Sequence, residues 1–380
     1  MIILKKKKAV QDGWLTVSGF LEVTDNVVLF FKIGGRNMKK KLLAALLAGS
    51  VALSLMACGG SGSSAPAAEP AAQGETGEAA AASGDGSYAV DVIVKTTASE
   101  YWGYVVAGAN AYGKDHPEIS VSVKGATSET SYDEQQNMIE TDLNSGAYDG
   151  FVIAPLQADL VATLIKGQTV PIVAVDTNIN APEVLSFVGT SNEDAAKMGG
   201  EEAVKAAKAA GWDEVKAICI SGVMGDSTAS ARLTGYEEGI NGAGGEFLKD
   251  EIQYADAVAD KAVNCMEAII QNHPEGIAII CANNDDMAMA AARAAKGNPA
   301  YEKTIFIGFD GIQSACNAIM AGDETMSVAQ EAYDMGYKAV DAVVRSLNGE
   351  TLDKFIDSGC SVVTPENAQE RLDQLKGYLE

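Results

Sequence analysis

The chain has 380 residues and a formal net charge of −24, from 28 Lys plus Arg against 52 Asp plus Glu. This balance argues against nucleic acid as a partner, because affinity for phosphate backbones comes largely from lysine and arginine side chains that displace counterions. Only two histidines are present, His116 and His273, so we expect no His-based catalytic triad, no metal site and no cofactor.

The region that begins at Met38 is typical of an export signal. Three lysines follow Met38, then an apolar stretch over 42–56, then Ala and Cys58. The stretch is about fifteen residues long, shorter than the roughly twenty that a membrane-spanning helix needs. The sequence Leu-Met-Ala-Cys that ends at Cys58 is similar to the bacterial lipobox, whose cysteine is acylated. We predict a signal peptide over 38–57 with lipid attachment at Cys58; an uncleaved signal anchor is the alternative.

The segments on either side of this signal have different explanations. Residues 1–37 match no export pattern, and the Gly-Gly-Arg-Asn before Met38 is encodable by a ribosome-binding sequence, so we hypothesise an upstream mis-start with translation beginning at Met38. Residues 58–87 are rich in Gly, Ser, Ala, Glu and Pro, which predicts a flexible tether. An acylated cysteine followed by a tether predicts a globular domain held by lipid at the outer face of the cell membrane.

From Tyr88 onward, short β-branched runs alternate with helical patterns. Strands are predicted over 90–94, 119–123, 150–154, 171–175, 215–220, 277–281 and 304–308, with helices such as 192–210 and 261–272 between them. Continuous apolar strands that alternate with helices indicate βαβ units and parallel sheets covered on both faces. The ordered part, about 290 residues, exceeds one ordinary core, so we predict an α/β fold of two doubly wound, Rossmann-like lobes.

Five cysteines follow in this part of the chain, at positions 219, 265, 281, 316 and 360. An odd number cannot pair completely within one molecule, and the spacings match no zinc pattern. Cys219 and Cys281 stand in apolar runs, so we predict that both are buried as small hydrophobic residues.

Polar and aromatic side chains follow the predicted strands one after another. In an open parallel sheet, ligands bind beyond the carboxyl ends of the strands, near the point where the strand order reverses. The candidate ligand-binding residues at these ends are Lys95, Tyr101, Trp102, Asp176, Arg232, Asn284, Asp310 and Gln330. The set combines cations, carboxylates, amides and aromatic faces, which suits a polyhydroxylated ligand, because each hydroxyl both donates and accepts while a sugar ring stacks on an aromatic face.

Ordinary structural explanations exist for the same residues. Asp176, Asn284 and Asp310 each fit a helix N-cap, where Asp and Asn are favoured after a strand. Arg232 also fits an exposed helical charge, and the adjacent aromatic pair also fits core packing.

Between about residues 88 and 364 the chain resembles the type I periplasmic sugar-binding proteins, particularly the ribose- and allose-binding members. The opening Val-Ile-Val-Lys95-Thr with its aromatic pair resembles the allose-binding opening. The other matching positions are Asp176, Arg232 in Arg-x-x-Gly-Tyr, Asn284 in Cys-Ala-Asn-Asn-Asp-Asp-Met-Ala, Asp310 in Gly-Phe-Asp-Gly and Gln330 in Val-Ala-Gln. The resemblance implies that these are ligand residues, with Gln330 on the hinge side.

Two positions depart from the family pattern. Thr177 stands where members commonly carry a basic residue, and Ala257 stands where an aromatic side chain usually faces the sugar. Losing one stacking wall removes about 1 kcal/mol of aromatic contact and leaves room for a differently shaped ligand. Ribose is therefore one candidate among several.

The resemblance also implies lobes that are discontinuous in sequence. We place lobe 1 at 88–190 plus 331–356 and lobe 2 at 191–330 plus 357–380, with three crossings that form a hinge near Ser191, Gln330 and Asp357. Closure about this hinge would bring the two half-sites together around the ligand.

The predicted function is that of a monomeric, lipid-anchored receptor that delivers a sugar or related molecule to the permease of an ABC importer and performs no chemistry. Three alternatives stay open. In the first, the receptor presents a signal molecule to a sensor protein. In the second, the chain is an extracellular hydrolase that uses Asp176 and Asp310 as an acid/base pair, although no nucleophile accompanies them. In the third, it is a transcriptional regulator, which would need a DNA-binding helix-turn-helix where this chain has a signal and a tether.

Overall fold

The computed structural model describes residues 3–11, 14–23, 27–35 and 86–379. Within the first 75 residues, which form a unit of their own, three antiparallel strands pair in the order β1 (Ile3–Gln11), β2 (Trp14–Val23) and β3 (Val27–Gly35). The predicted signal peptide, Cys58 and nearly all of the tether lie outside the described residues. Within the described part of the chain, no helix is both long and apolar enough to span a bilayer.

The second unit alternates strands and helices. Its strands are β4 (Tyr88–Thr96), β5 (Ile119–Ala126), β6 (Gly150–Ile153), β7 (Ile172–Val175), β8 (Val184–Gly189), β9 (Lys216–Ser221), β10 (Glu246–Phe247), β11 (Gln253–Tyr254), β12 (Ile279–Ala282), β13 (Ile305–Asp310), β14 (Met326–Gln330), β15 (Phe355–Asp357) and β16 (Cys360–Val363). Its helices are α1 (Glu100–Asp115), α2 (Tyr132–Ser145), α3 (Ala158–Leu164), α4 (Asn192–Ala209), α5 (Ser227–Gly242), α6 (Ala259–Asn272), α7 (Asp285–Ala295), α8 (Gln313–Ala321), α9 (Ala332–Leu347) and α10 (Ala368–Leu379).

These strands form two sheets. The first has the order β15-β8-β7-β6-β4-β5 and is parallel throughout. The second has the order β10-β9-β12-β13-β14-β16, with β11 also beside β9, and only β16 runs antiparallel to its neighbour. We call the first sheet with α1, α2, α3 and α9 the first lobe, and the second sheet with α4 to α8 the second lobe; α10 packs on α8 and α1. The chain passes between the sheets three times, after β8, β14 and β15.

Alternate residues of each strand face opposite helix layers. In β6, Val152 packs in the cluster with α1 and α9, whereas Ile153 packs in the cluster with α2 and α3. In β12, Ile279 faces α4 and α5, whereas Ile280 faces α6 and α7. Both faces of these central strands are therefore buried, which explains why they are continuous apolar runs in the sequence.

Two glycines allow the helices of the first lobe to approach closely. A β-carbon on Gly108 of α1 would collide with the Tyr333 carbonyl oxygen, and one on Gly336 of α9 would collide with the Val105 carbonyl oxygen. Neither position has room for a side chain, so the α1–α9 contact depends on backbone meeting backbone. This contact holds α1, which carries two of the candidate aromatic residues.

The predicted α/β fold with two doubly wound lobes is confirmed. Each of the seven predicted strands falls on an observed strand, and the helices predicted over 192–210 and 261–272 correspond to α4 and α6. Cys219 and Cys281 are fully buried, as predicted. Six strands of the second unit, β8, β10, β11, β14, β15 and β16, lie outside the seven predicted ranges. Each is two to six residues long. In addition, β15 and β16 are mostly exposed, so they lack the apolar run by which strands are recognised in a sequence.

Candidate ligand-binding cleft

The carboxyl ends of strands from both sheets meet at one cleft. Its water-accessible volume is about 80 Å³, and it is lined by seven of the eight predicted residues: Lys95, Tyr101, Trp102, Asp176, Arg232, Asn284 and Asp310. Larger hollows of 690 and 730 Å³ lie elsewhere on the surface, but they are open grooves along helices. The interlobe cleft differs from them because its wall consists largely of buried polar side chains.

Lys95 spans the cleft from the end of β4. Its ammonium Nζ lies 3.8 Å from Asp176 Oδ1 in the same lobe and 3.5 Å from Asp226 Oδ2 in the other lobe. Burial opposes the lysine's charge, but the carboxylates of Asp226 and Asp176 outweigh this effect and raise the pKa of Lys95. Asp226 is itself held in place as the N-cap of α5, where its Oδ1 accepts a hydrogen bond from Ala229 N at 2.8 Å.

The aromatic pair belongs both to the core and to the cleft. Tyr101 and Trp102 lie in the first turn of α1, with their rings edge to face at 5.2 Å. Tyr101 donates its hydroxyl hydrogen to Asp176 Oδ2 at 2.9 Å, and Trp102 Nε1 donates to Glu129 Oε1 at 2.8 Å. Both rings are almost fully buried. Tyr101 and Trp102 therefore pack in the core and also line the cleft.

The N-cap explanation fails for the two candidate aspartates. After Asp176 the chain continues to β8 without a helix, and Ile312, not Asp310, occupies the N-cap position of the helix that follows, α8. Both aspartates have positive φ angles, 64° for Asp176 and 122° for Asp310. Such backbone conformations are unfavourable for residues other than glycine and cluster at binding and catalytic sites, where the surrounding structure holds them.

Asn284 is the candidate for which the N-cap explanation is right. Its Oδ1 accepts a hydrogen bond from Met287 N at 2.9 Å at the start of α7, and its Nδ2 donates to Ala257 O at 3.4 Å. The side chain also lines the cleft. One side chain therefore caps a helix and still borders the site.

Arg232 is fixed from three sides, and its explanation as an exposed helical charge is wrong. Only 6% of the residue is exposed. Its Nε donates to Asn192 Oδ1 and its Nη1 donates to Asn283 O, both at 2.7 Å. The guanidinium carbon lies 3.8 Å from the centre of the Phe309 ring. The planar guanidinium is therefore held rigidly at the cleft wall.

Gln330 is the one candidate outside the cleft lining. It ends β14 at a crossing between lobes, and its Nε2 donates to Asp310 Oδ1 at 2.7 Å. Arg232 Nη1 lies 3.6 Å from the same oxygen. Burial nevertheless raises the pKa of Asp310 well above its usual range, because the arginine only partly compensates.

Glu129, Asp226, Thr228 and Asn283 are among the lining residues that were not predicted as ligand residues. Asp226 follows β9 in Gly-Asp-Ser-Thr. It is therefore a polar side chain after a buried strand, which is the criterion that selected the other candidates, and the sequence alone could have identified it. Asn283 is structural, since its Oδ1 accepts from Gly222 N and its Nδ2 donates to Ala229 O. Glu129 follows β5 in a loop that has no distinguishing pattern.

Of the two positions that depart from the family pattern, Ala257 lines the cleft and Thr177 is buried against two lining residues. The Thr177 hydroxyl donates to Asp176 Oδ1 at 2.8 Å and lies 2.9 Å from the Thr228 hydroxyl of the second lobe. Ala257 lines the cleft with a φ of 59°. The cleft wall therefore has a methyl group at this position, where an aromatic ring was expected from the family.

Comparison with protein families identifies the fold. The family model for the periplasmic binding protein domain matches residues 90–351. The chain belongs to this family. A similar protein is the D-ribose/D-allose-binding protein of Pseudomonas aeruginosa, 26% identical over 273 residues, which cover 69% of this chain and 83% of that protein. The D-allose-binding periplasmic protein of Escherichia coli is 28% identical over 255 residues, which cover 64% of this chain and 80% of that protein.

Solved structures of periplasmic binding proteins have the same fold as this chain. A carbohydrate transporter solute-binding protein from Agrobacterium radiobacter, in complex with D-arabinose, has a TM-score of 0.70 at 26% identity and covers 77% of this chain and 99% of its own. An ABC transporter solute-binding protein from Agrobacterium vitis with bound D-fucose has a TM-score of 0.67 at 28% identity, covering 76% and 98%. The resemblance to type I periplasmic sugar-binding proteins is confirmed. These relatives are binding proteins of transporters and not enzymes, which confirms the expectation of a non-enzymatic protein.

Proposed function

We propose that this periplasmic binding protein captures a monosaccharide or a similar polyhydroxylated molecule in the interlobe cleft and delivers it to the permease of an ABC importer. The observation that carries the proposal is that buried donors and acceptors from both lobes converge on one small cleft. Hydroxyl groups need both kinds of partner at close range. The charged, amide and hydroxyl groups of the lining supply both kinds.

The ligand residues that we propose are Lys95, Tyr101, Trp102, Asp176, Arg232, Asn284 and Asp310, with Gln330 acting through Asp310. Lys95 and Arg232 are the donors, and the aspartates are the acceptors. Trp102 offers an aromatic face. Gln330 orients the Asp310 carboxylate through its 2.7 Å hydrogen bond.

Ligand capture is proposed to occur by closure of the lobes, divided as 88–190 plus 331–356 and 191–330 plus 357–380. Three pairs of side chains that meet between the lobes support a closed form: Lys95 with Asp226, Thr177 with Thr228, and Glu100 with Ser314. A ligand that contacts both halves binds the closed form best and therefore shifts the population toward it.

Membrane attachment is a further part of the proposal. We propose that the mature, monomeric protein begins at Cys58, is held by lipid on that cysteine, and reaches the importer through the 58–87 tether. Supporting this are the basic and apolar pattern over 38–57 and the Leu-Met-Ala-Cys sequence. Cys58→Ala is expected to release the protein from the membrane fraction, and continued membrane association of the variant would contradict the lipid anchor.

The ligand is tested by a thermal-shift screen of pentoses, hexoses, polyols and nucleosides, followed by calorimetry. A bound ligand raises Tm by mass action, and an affinity near micromolar, about −8 kcal/mol, is adequate for a scavenging receptor. Recovery of the ligand unchanged after incubation is expected. Conversion of the ligand to a product, or a screen in which no compound raises Tm, would overturn the proposal.

A further inference from the structure

The cleft contains more carboxylates than cations. Its lining includes four acidic side chains and two basic ones: Glu129, Asp176, Asp226 and Asp310 against Lys95 and Arg232. Lys95 lies beside Asp176 and Asp226, and Arg232 lies beside Asp310. The two cations are thus already shared among three carboxylates, and the fourth, Glu129, has no cation within ion-pair distance among the described residues.

Glu129 faces the cleft with one oxygen engaged. Its Oε1 accepts the Trp102 indole hydrogen, while its Oε2 accepts no hydrogen bond from any described residue. Burial raises the pKa of Glu129 even though Lys95 lies near, and burial does the same to Asp310. Burial thus favours the neutral form of both carboxyls in the empty cleft, and a cation bound beside either one would favour its charged form.

Thr177 contributes to the imbalance. It stands beside Asp176 where relatives were expected to carry a basic residue, and its hydroxyl is engaged with Asp176 and Thr228. The protein therefore has no third cation at the position where the family pattern would supply one.

We infer that the cleft is built for a sugar-like ligand that carries an amino group, with the ligand's ammonium bound at Glu129, and that it rejects sugars bearing a carboxylate or phosphate. This inference rests on the proposed function, because it concerns the same cleft. An ammonium hydrogen-bonds strongly to a carboxylate in a partly dry site, whereas an anion there would meet four acidic groups.

The test compares matched forms of one sugar by calorimetry. The probes are D-glucose, D-galactose and D-mannose, each as the neutral sugar, the 2-amino-2-deoxy sugar and the uronic acid. We expect the amino form of at least one sugar to bind about tenfold more tightly than its neutral form, as one added charge-assisted hydrogen bond predicts. The uronic acids are expected not to bind measurably.

Variants of Glu129 test whether this residue is responsible for the preference for amino sugars. Glu129→Gln is expected to weaken the amino form about tenfold more than the neutral form, and Glu129→Asp, which keeps the charge, to retain the preference. Glu140→Gln is the matched control, since Glu140 is an exposed residue of α2 in the same lobe, and it should leave the ranking unchanged. Circular dichroism melting of each variant establishes that it is folded.

The outcomes separate the two proposals. If neutral sugars bind but the amino forms bind no better, or if a uronic acid binds most tightly, the charge inference is wrong and the sugar-binding function stands. If the preference exists and Glu129→Gln leaves it intact, the assignment to Glu129 is wrong. If no form of any of the three sugars binds and the broader screen is also negative, both proposals fall.

Discussion

On the first-lobe side of the cleft, polar side chains are held by other side chains, whereas on the second-lobe side several are held by backbone groups as well. Asp176 is fixed by Tyr101 and Thr177, and Glu129 by Trp102. In the second lobe, Asp226 and Asn284 accept hydrogen bonds from helix N–H groups. Arg232 there donates to a carbonyl oxygen of the loop that follows β12.

This difference indicates a division of labour. Backbone partners do not change rotamer, so the second-lobe half-site is preorganised before any ligand arrives. Side-chain partners adjust more readily, so the first-lobe half-site is expected to tune which ligand fits. Changes in the second lobe should therefore abolish binding, and changes in the first lobe should alter its strength and selectivity.

Arg232→Ala should produce the largest loss of ligand affinity. It leaves Asp310 buried without its cation and Asn192 without its donor, at a cost of about 3 kcal/mol, or about a hundredfold loss of affinity. Calorimetry with the ligand found in the screen measures the loss. Arg232→Lys retains the charge but not the planar fork, and should recover only part of the affinity. Affinity within twofold of wild type in Arg232→Ala would remove this residue from the site.

Asp91 in the first lobe and Asp285 in the second are buried carboxyls that do not line the cleft. Burial raises the pKa of Asp91 in the first lobe and of Asp285 in the second to about 7. A carboxyl that stays protonated in the fold stabilises it fully below the unfolded pKa near 4, and this contribution is lost as the pH rises through about 7.

The free energy of unfolding is therefore expected to fall between about pH 4 and pH 7, by on the order of 4 kcal/mol for each of these groups. Urea unfolding at several pH values measures it. Asp91→Asn and Asp285→Asn should each flatten part of the slope. An unchanged slope in both variants would show that neither carboxyl titrates as described.

Tyr101→Phe is expected to have a moderate effect. It removes the hydroxyl that donates to Asp176 Oδ2 while leaving the ring in the core. The loss of one hydrogen bond to a charged group weakens binding by about 1.5 kcal/mol, roughly tenfold. Tyr112→Phe in the same helix is a control that lies away from the cleft. Equal affinities for the two variants would argue that the first-lobe side chains do not tune binding.

The smallest effect concerns a contact between the lobes. Glu100 accepts hydrogen bonds from Gln313 N and the Ser314 hydroxyl, both at 2.7 Å, at the otherwise uncapped start of α8. Glu100→Gln should weaken this cross-lobe cap by about 0.5 kcal/mol or more, in favour of open forms. Small-angle X-ray scattering without ligand should show a larger radius of gyration than wild type. Identical profiles would mean that this contact does not influence closure.

Much of the cleft was predictable from the sequence, because a polar residue that follows an apolar strand can be recognised from its neighbours in the chain. Asp176, Arg232 and Asp310 come directly after buried strands or in the helix that follows, and parallel strands bring such ends to one edge. Glu129 was not predictable, since it is in a loop and its role depends on where the Trp102 indole hydrogen points. The pairing of Lys95 with Asp226 joins residues 131 positions apart and appears only when the lobes meet.

The sequence by itself determined the alternation of strands and helices, the two-lobe α/β class and the polar character of the strand ends, because hydrophobic periodicity and residue chemistry are local properties. Only the tertiary structure decided which of those ends face one another, which carboxylates share a cation, and that Asp176 and Asp310 take positive φ angles. The physical reason is that ion pairing, desolvation and backbone strain depend on distances across the cleft between segments far apart in the chain.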